Sequence, residues 1–204
     1  MNDIAPIVYV IDDDDAVRSS LSWLISSVDI AVEAYASAGA FLEHCPEVKA
    51  GCLITDVRMP GMSGLDLQNE LNKRDIDIPV IIITGHGDVQ TAVRAMKAGA
   101  FDFIEKPFND QLLLDIVNSA IAHDMISKKA EGEQVELNAR RDSLTPRELE
   151  VMGLIADGEA NKNIAYTLGI SEKTVEAHRA KVMSKMQANS LAELVKMSLE
   201  LARD

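Results

Sequence analysis

Cysteine is nearly missing from this 204-residue chain, which has only Cys45 and Cys52. Two thiols make neither a disulfide framework nor a metal-binding spacing, which suits a reducing cytoplasm. Positive charge is also scarce. Against 33 Asp and Glu stand 20 Lys and Arg, a net charge of −13, which excludes a protein that coats nucleic acid indiscriminately. No basic segment followed by an apolar core opens the chain, so no signal peptide is expected. The longest apolar runs have the length of a strand, well short of a bilayer span, so no membrane association is expected either. The hydrophobic content is nonetheless 47%, enough for packed cores, and the length allows one large domain or two modest ones.

The charge is uneven. Residues 1–125 carry 8 basic and 20 acidic side chains, a balance of −12, whereas residues 126–204 carry 12 and 13, a balance of −1. The grammar of the chain changes with it. In the acidic part, short apolar runs alternate with stretches of helical period. Ile7–Ile11 runs into Asp12-Asp13-Asp14-Asp15, and Ala31–Tyr35 is a weaker run. Gly51–Thr55 stops at Asp56, Val80–Ile83 at Thr84-Gly85, and Phe101–Glu105 at Lys106-Pro107. Helices are predicted over Ala16–Ser27, Ser37–His44, around Leu65, Leu67 and Leu71, over Asp88–Ala98, and from Asp110 to about Ile126. This (βα)₅ alternation predicts a doubly wound parallel sheet with helices on both faces.

Residues 127–142 are charged and mostly helix-forming, weakened only by Gly132. They read as a helical linker, with a break near Gly132 or a flexible coil as alternatives. From residue 143 no strand is expected. Thr145-Pro146-Arg147-Glu148 is a helix start with a capping box, and its apolar face is Leu149, Met152, Leu154 and Ile155. A second helix spans Asn161–Leu168. A third, capped by Ser171, runs to Met186, and a fourth begins at Ser190 with Leu191, Leu194, Val195 and Leu199. The joint Gly169-Ile170-Ser171 is a tight Gly-containing turn between two short helices, the layout of a helix-turn-helix. The domains are therefore 1–126, the linker 127–142, and 143–204.

The strand ends carry the chemistry. A parallel sheet brings Asp12, Asp13, Asp56, Thr84 and Lys106 to one rim, where ligands bind in open α/β sheets. Carboxylates gathered there repel unless a hard cation joins them, and Mg²⁺ is the ordinary solution. One carboxylate is then free to take a phosphoryl group as an aspartyl phosphate, with Lys106 and Thr84 on the phosphoryl oxygens. Each residue alone has a plainer explanation as a cap, a turn or a solvated acid. In the third C-terminal helix, Val175, His178, Val182 and Met186 form a core stripe. His178 is thus a core histidine rather than a base contact. Lys173, Thr174, Ala177, Lys181 and Ser184 fall on the other face, small and basic as a helix entering a major groove must be. A surface helix with scattered lysines is the alternative.

These motifs resemble known families. Val10-Ile11-Asp12-Asp13-Asp14, Thr55-Asp56-Val57-Arg58-Met59-Pro60-Gly61, Thr84-Gly85-His86-Gly87, Ala95-Met96-Lys97-Ala98-Gly99-Ala100 and Lys106-Pro107-Phe108 look like a two-component receiver, a flavodoxin-like or CheY-like fold. Leu144–Glu148, Asn161–Ala165, Leu168–Ser171 and Thr174–Arg179 resemble the LuxR-type helix-turn-helix, and the whole chain is similar to FixJ-type response regulators. The resemblance implies Asp56 as phospho-acceptor, Asp13 as direct Mg²⁺ ligand, and Asp12 in its outer shell. Asp56 and the backbone carbonyl of Arg58 would complete the protein ligands. It further implies a cis Lys106–Pro107 bond, a switch involving Thr84 and Phe103, base reading by the third helix, and phosphate contacts from Lys162, Asn163 and Lys185. The implied partners are a sensor histidine kinase, promoter DNA, RNA polymerase, and a second copy of the chain on phosphorylation. The implied function is transcription regulation rather than enzymatic turnover. A rival reading makes Asp56 the nucleophile of a phosphatase or phosphotransferase. Such enzymes often carry a second Asp two residues on, where this chain has Arg58.

Overall fold

The computed structural model describes residues 5–44, 49–85 and 89–202. Cys45, and the His86-Gly87-Asp88 part of the Thr84 motif with the expected helix start at Asp88, lie outside the described residues. Contacts divide the chain into two units, Met1–Lys128 and Lys129–Asp204.

In the first unit the order is β1 (Ile7–Ile11), α1 (Asp15–Ser26), β2 (Ala31–Tyr35), α2 (Ala38–His44), β3 (Gly51–Asp56), α3 (Gly64–Lys73), β4 (Val80–Thr84), α4 (Val89–Lys97), β5 (Asp102–Glu105) and α5 (Asp110–Asp142). All strand pairs are parallel, in the order β2-β1-β3-β4-β5. The central strands are apolar on both sides because both faces are covered. Ile7, Tyr9, Ile11, Leu53, Val80 and Ile82 pack to one side, and Val8, Val10, Cys52, Ile54, Ile81 and Ile83 to the other. Each large aliphatic side chain among them contributes about 1.5–3 kcal/mol by burial. Burial and, after it, the charge of Asp124 push the Cys52 thiol up to about 12. It is therefore an inert core residue.

The helix starts follow local chemistry. Asp14 caps α1, its carboxylate accepting from the amides of Ala16 and Val17. Ser63 and Asp66 form a capping box on α3. On α5, the buried Asp124 accepts from the Gly51 amide at 2.7 Å and from Lys128 Nζ at 3.0 Å. These bonds pin the helix to the foot of β3. The helix continues unbroken to Asp142, so the break considered at Gly132 is absent: one glycine costs about 1 kcal/mol, less than its neighbours contribute.

The second unit holds the end of α5 with α6 (Pro146–Ala156), α7 (Asn161–Leu168), α8 (Glu172–Met186) and α9 (Leu191–Leu201). Its core is Leu137, Val151, Met152, Ile155, Ile164, Val175, Val182, Met186 and Leu194. Leu149, expected on the apolar face of α6, is exposed, and so are Leu191 and Leu199 of the residues that marked α9. Helical period places a stripe to within one residue, and on α6 the stripe is centred on Val151 and Ile155 rather than Leu149. The core also takes in Leu137, which the sequence reading left in the linker.

Candidate functional site

Register builds the rim. Ile11 pairs with Thr55, so Asp12 and Asp56 are next in line on neighbouring strands. Asp56 pairs with Ile83, which puts Thr84 one residue beyond it. Thr84 pairs with Glu105, and Lys106 follows. Lys106 then folds back over the rim. Its Nζ lies 2.9 Å from Asp56 Oδ2 and 3.2 Å from Asp12 Oδ2, and its amide donates to the Thr84 carbonyl at 2.7 Å. The Lys106–Pro107 bond is cis, as expected. Burial alone would lower the Lys106 pKa, but hydrogen bonding and charge from Asp56, and then from Asp12, hold it above its ordinary value. The ammonium is therefore a fixed positive charge at the rim.

The four-acid run sorts into separate tasks. Asp12 is buried, accepts from the Asp14 amide and pairs with Lys106. Asp14 caps α1. Asp15 pairs with Arg18. Asp13 is exposed and makes no hydrogen bond or ion pair among the described residues. Asp56 is half-buried, and its Oδ1 accepts from the Arg58 amide at 2.9 Å. Gly64 explains the turn that follows: a Cβ there would lie 2.3 Å from the Asp56 carbonyl oxygen. Only glycine lets the start of α3 approach β3 so closely.

All oxygen donors here are hard, which suits Mg²⁺ rather than a thiolate-seeking metal. The expected set of Asp13, Asp12, Asp56 and the Arg58 carbonyl is not drawn together as a closed shell. Among the described residues no three His, Cys, Asp or Glu side chains surround a common point. Asp12 and Asp56 each direct one oxygen to Lys106. The donor types fit the cation, and Asp13 has both carboxylate oxygens unengaged.

Thr84 is buried at the end of β4. Phe103, on β5, is half-buried against the same core face as Val80 and Ile82. Phe103 carries no hydroxyl, so any signal through it must be a matter of packing.

In the second unit, Lys173, Thr174, Ala177, Lys181 and Ser184 are all exposed, while Val175, Val182 and Met186 are buried. The two faces of α8 are those expected. His178 is half-buried on the core side, with Nδ1 buried and unbonded. Lys162 and Asn163 are exposed at the start of α7, Asn163 bonding Glu159 at 2.7 Å. Lys185 differs from expectation. Its Nζ is 2.7 Å from the buried carboxylate of Glu148 and 2.9 Å from the Ser143 carbonyl, leaving one of its three N–H groups for an outside ligand. The Glu148 carboxyl is held down to about 2, first by that bond from Lys185 and then by the Thr145 amide. Arg147 bonds the Leu168 carbonyl and so closes the end of α7 just before the turn. Sequence reasoning missed Arg18, Arg147 and the Glu148–Lys185 pair. The capping box named Glu148, but nothing local announced a partner 37 residues away.

Comparison with known proteins agrees with this fold. The response regulator receiver domain family matches residues 8–118, and the bacterial regulatory proteins of the luxR family match residues 142–198. Transcriptional regulatory protein FixJ of Azorhizobium caulinodans is 50% identical over 192 residues, spanning 94% of this chain and 91% of that protein. Response regulator protein TmoT of Ectopseudomonas mendocina is 43% identical over 201 residues, spanning 98% and 91%. Among solved structures, response regulator StyR matches at TM-score 0.91 and 43% identity over 96% of this chain and 99% of that one. Full-length FixJ from B. japonicum matches at TM-score 0.60 and 44% identity, covering 98% of each. Receivers of this kind bind Mg²⁺ at their acidic pocket. A receiver of this kind implies a phospho-donor kinase, and the luxR-family domain implies DNA. The chain belongs to the FixJ-type response regulators, transcription regulators of two-component signalling in which a receiver is joined to a LuxR-type DNA-binding domain.

Proposed function

We propose that Asp56 is the phospho-acceptor and that its phosphorylation by a sensor histidine kinase switches DNA binding by α8. The observation that carries this is the Lys106 bridge. A permanently charged ammonium 2.9 Å from Asp56 sits where the oxygens of an incoming phosphoryl group need a counter-charge. The carboxylate oxygen attacks phosphorus, the bond to the donor's leaving group breaks, and an acyl phosphate remains. Asp13, Asp56 and the Arg58 carbonyl would hold the Mg²⁺, with Asp12 behind them. When bound, the cation would supply neutralisation of charge on the phosphoryl group in transfer. The receiver performs this transfer on itself alone, and water later cleaves the acyl phosphate to restore the carboxylate and release inorganic phosphate.

Thr84 then bonds a phosphoryl oxygen, and the Phe103 ring moves into the space beside it. The surface of α4 and β5 is thereby remodelled. Val89, Val93 and Met96 leave an apolar strip on α4, which supports a homodimer forming there on phosphorylation. In the dimer, two α8 helices read base edges through Lys173, Thr174, Ala177, Lys181 and Ser184. Lys162, Asn163 and the remaining N–H of Lys185 hold phosphates. RNA polymerase is the downstream partner, and the protein acts in the cytoplasm. Among the described residues no helix is long and apolar enough to cross a membrane.

The test is labelling with acetyl phosphate, followed by intact mass. Wild type gains one phosphoryl group only when Mg²⁺ is present, and Asp56→Asn gains none. Equal labelling of the two proteins removes Asp56 from the reading.

A further inference from the structure

Arg18 lies outside every role assigned so far, yet its side chain is largely buried beside the acidic rim. One guanidinium nitrogen, Nη1, donates to the backbone carbonyl of Asp12 at 2.7 Å, and the other, Nη2, pairs with the Asp15 carboxylate. The fork therefore ties the first acid of the Asp12–Asp15 run to the last. Between them, Asp14 is committed to the cap of α1, and Asp13 is the acid left unengaged.

We infer that Arg18 is a positioning residue for the cation site, which presents the Asp13 carboxylate by bracing the loop on both sides of it. This rests on the reading of Asp13 as a Mg²⁺ ligand. Four consecutive carboxylates repel one another and favour an open loop. Two anchors on one rigid plane oppose that, and a planar fork reaches a carbonyl and a carboxylate together where an ammonium is only a point charge. Without the fork, the Asp12 carbonyl loses its donor and Asp15 becomes a free anion that competes for the cation. Supports behind a ligand act in this way on metal affinity.

The experiment titrates Mg²⁺ into the unphosphorylated, full-length chain, following the amide resonances of residues 12–18 and Asp56. Wild type, Arg18→Lys and Arg18→Ala are compared, and thermal unfolding without Mg²⁺ is recorded for each. The expected result is a half-saturation raised about tenfold or more in both variants, with Lys failing to rescue. Acetyl phosphate labelling then requires more Mg²⁺ but reaches the same final extent. Rescue by Lys would show that charge alone matters and overturn the positioning role. So would unchanged Mg²⁺ affinity in a variant whose loop resonances have moved. A variant that only melts lower, with wild-type affinity when folded, would make Arg18 a stability residue and likewise overturn the inference. Failure of wild type itself to respond to Mg²⁺ would strike the reading of Asp13 instead, so the two failures are distinguishable.

Discussion

At the scale of the residue, the Glu148–Lys185 ion pair of the second unit gives a prediction with a definite sign. The Glu148 carboxyl is lowered from its ordinary 4.5 to about 2. A group whose folded pKa is depressed contributes stability that is fully present above its unfolded value and is lost as pH falls through the folded one. The second unit should therefore weaken between about pH 5 and pH 2. Glu148→Gln should already be less stable at pH 7 and should show a flatter acid limb. Urea unfolding of the two proteins across that range, read from amide signals of α6 and α8, checks it. Parallel acid limbs would remove Glu148 as the cause. The rim shows what a sequence does and does not expose at this scale. Asp12, Asp56, Thr84 and Lys106 were legible because each ends an apolar run, and strand ends share an edge. The bracing by Arg18 and the diversion of Lys185 to Glu148 were not, because both depend on where long flexible side chains point after folding.

At the scale of the element, helices and strands were legible wherever period and caps agreed. The expected span of α7 coincides with the observed one, and α8 begins just after its expected cap. The linker was harder. Residues 127–142 are charged, and a lone leucine among them carries no periodic signal, yet Leu137 is buried with Val151 and Met186. We place the functional boundary of the DNA-binding unit upstream of Leu137 for that reason. Leu137→Ala should destabilise this unit by about 2–5 kcal/mol, and a fragment beginning at Lys129 should melt well above one beginning at Ser143. Equal melting temperatures would return Leu137 to the linker. The two faces of α8 give another outcome. Thr174→Ala or Lys181→Ala should change which bases are preferred, by about 1–3 kcal/mol per lost contact. Lys162→Ala should weaken all sequences alike and flatten the salt dependence. Selection from a random DNA pool at two salt concentrations separates these effects. Unchanged base preference in both α8 variants would move reading to another face.

At the scale of the whole molecule, the account joins a rim that takes a phosphoryl group to a helix that reads DNA. The charge imbalance gives this coupling a physical setting. A receiver portion with a balance of −12 disfavours any polyanion, while residues 126–204 are nearly neutral, with three of their seven lysines on α8. On the proposed function, binding rests on a few well-placed contacts and on the added reach of a dimer, whose half-sites would lie about one helical turn apart or on adjacent turns. The dimer itself is checked by sedimentation before and after full phosphorylation; a monomer in both states would remove the α4 surface from the scheme. The most direct measurement of the central claim is the affinity of the intact chain for a selected DNA site, with and without acetyl phosphate and Mg²⁺, beside Asp56→Asn under the same conditions. The account predicts that phosphorylation tightens binding by about 5–150-fold, the range of ordinary coupling between sites, and that Asp56→Asn stays at the unphosphorylated value throughout. Equal affinity of phosphorylated and unphosphorylated wild type would contradict it.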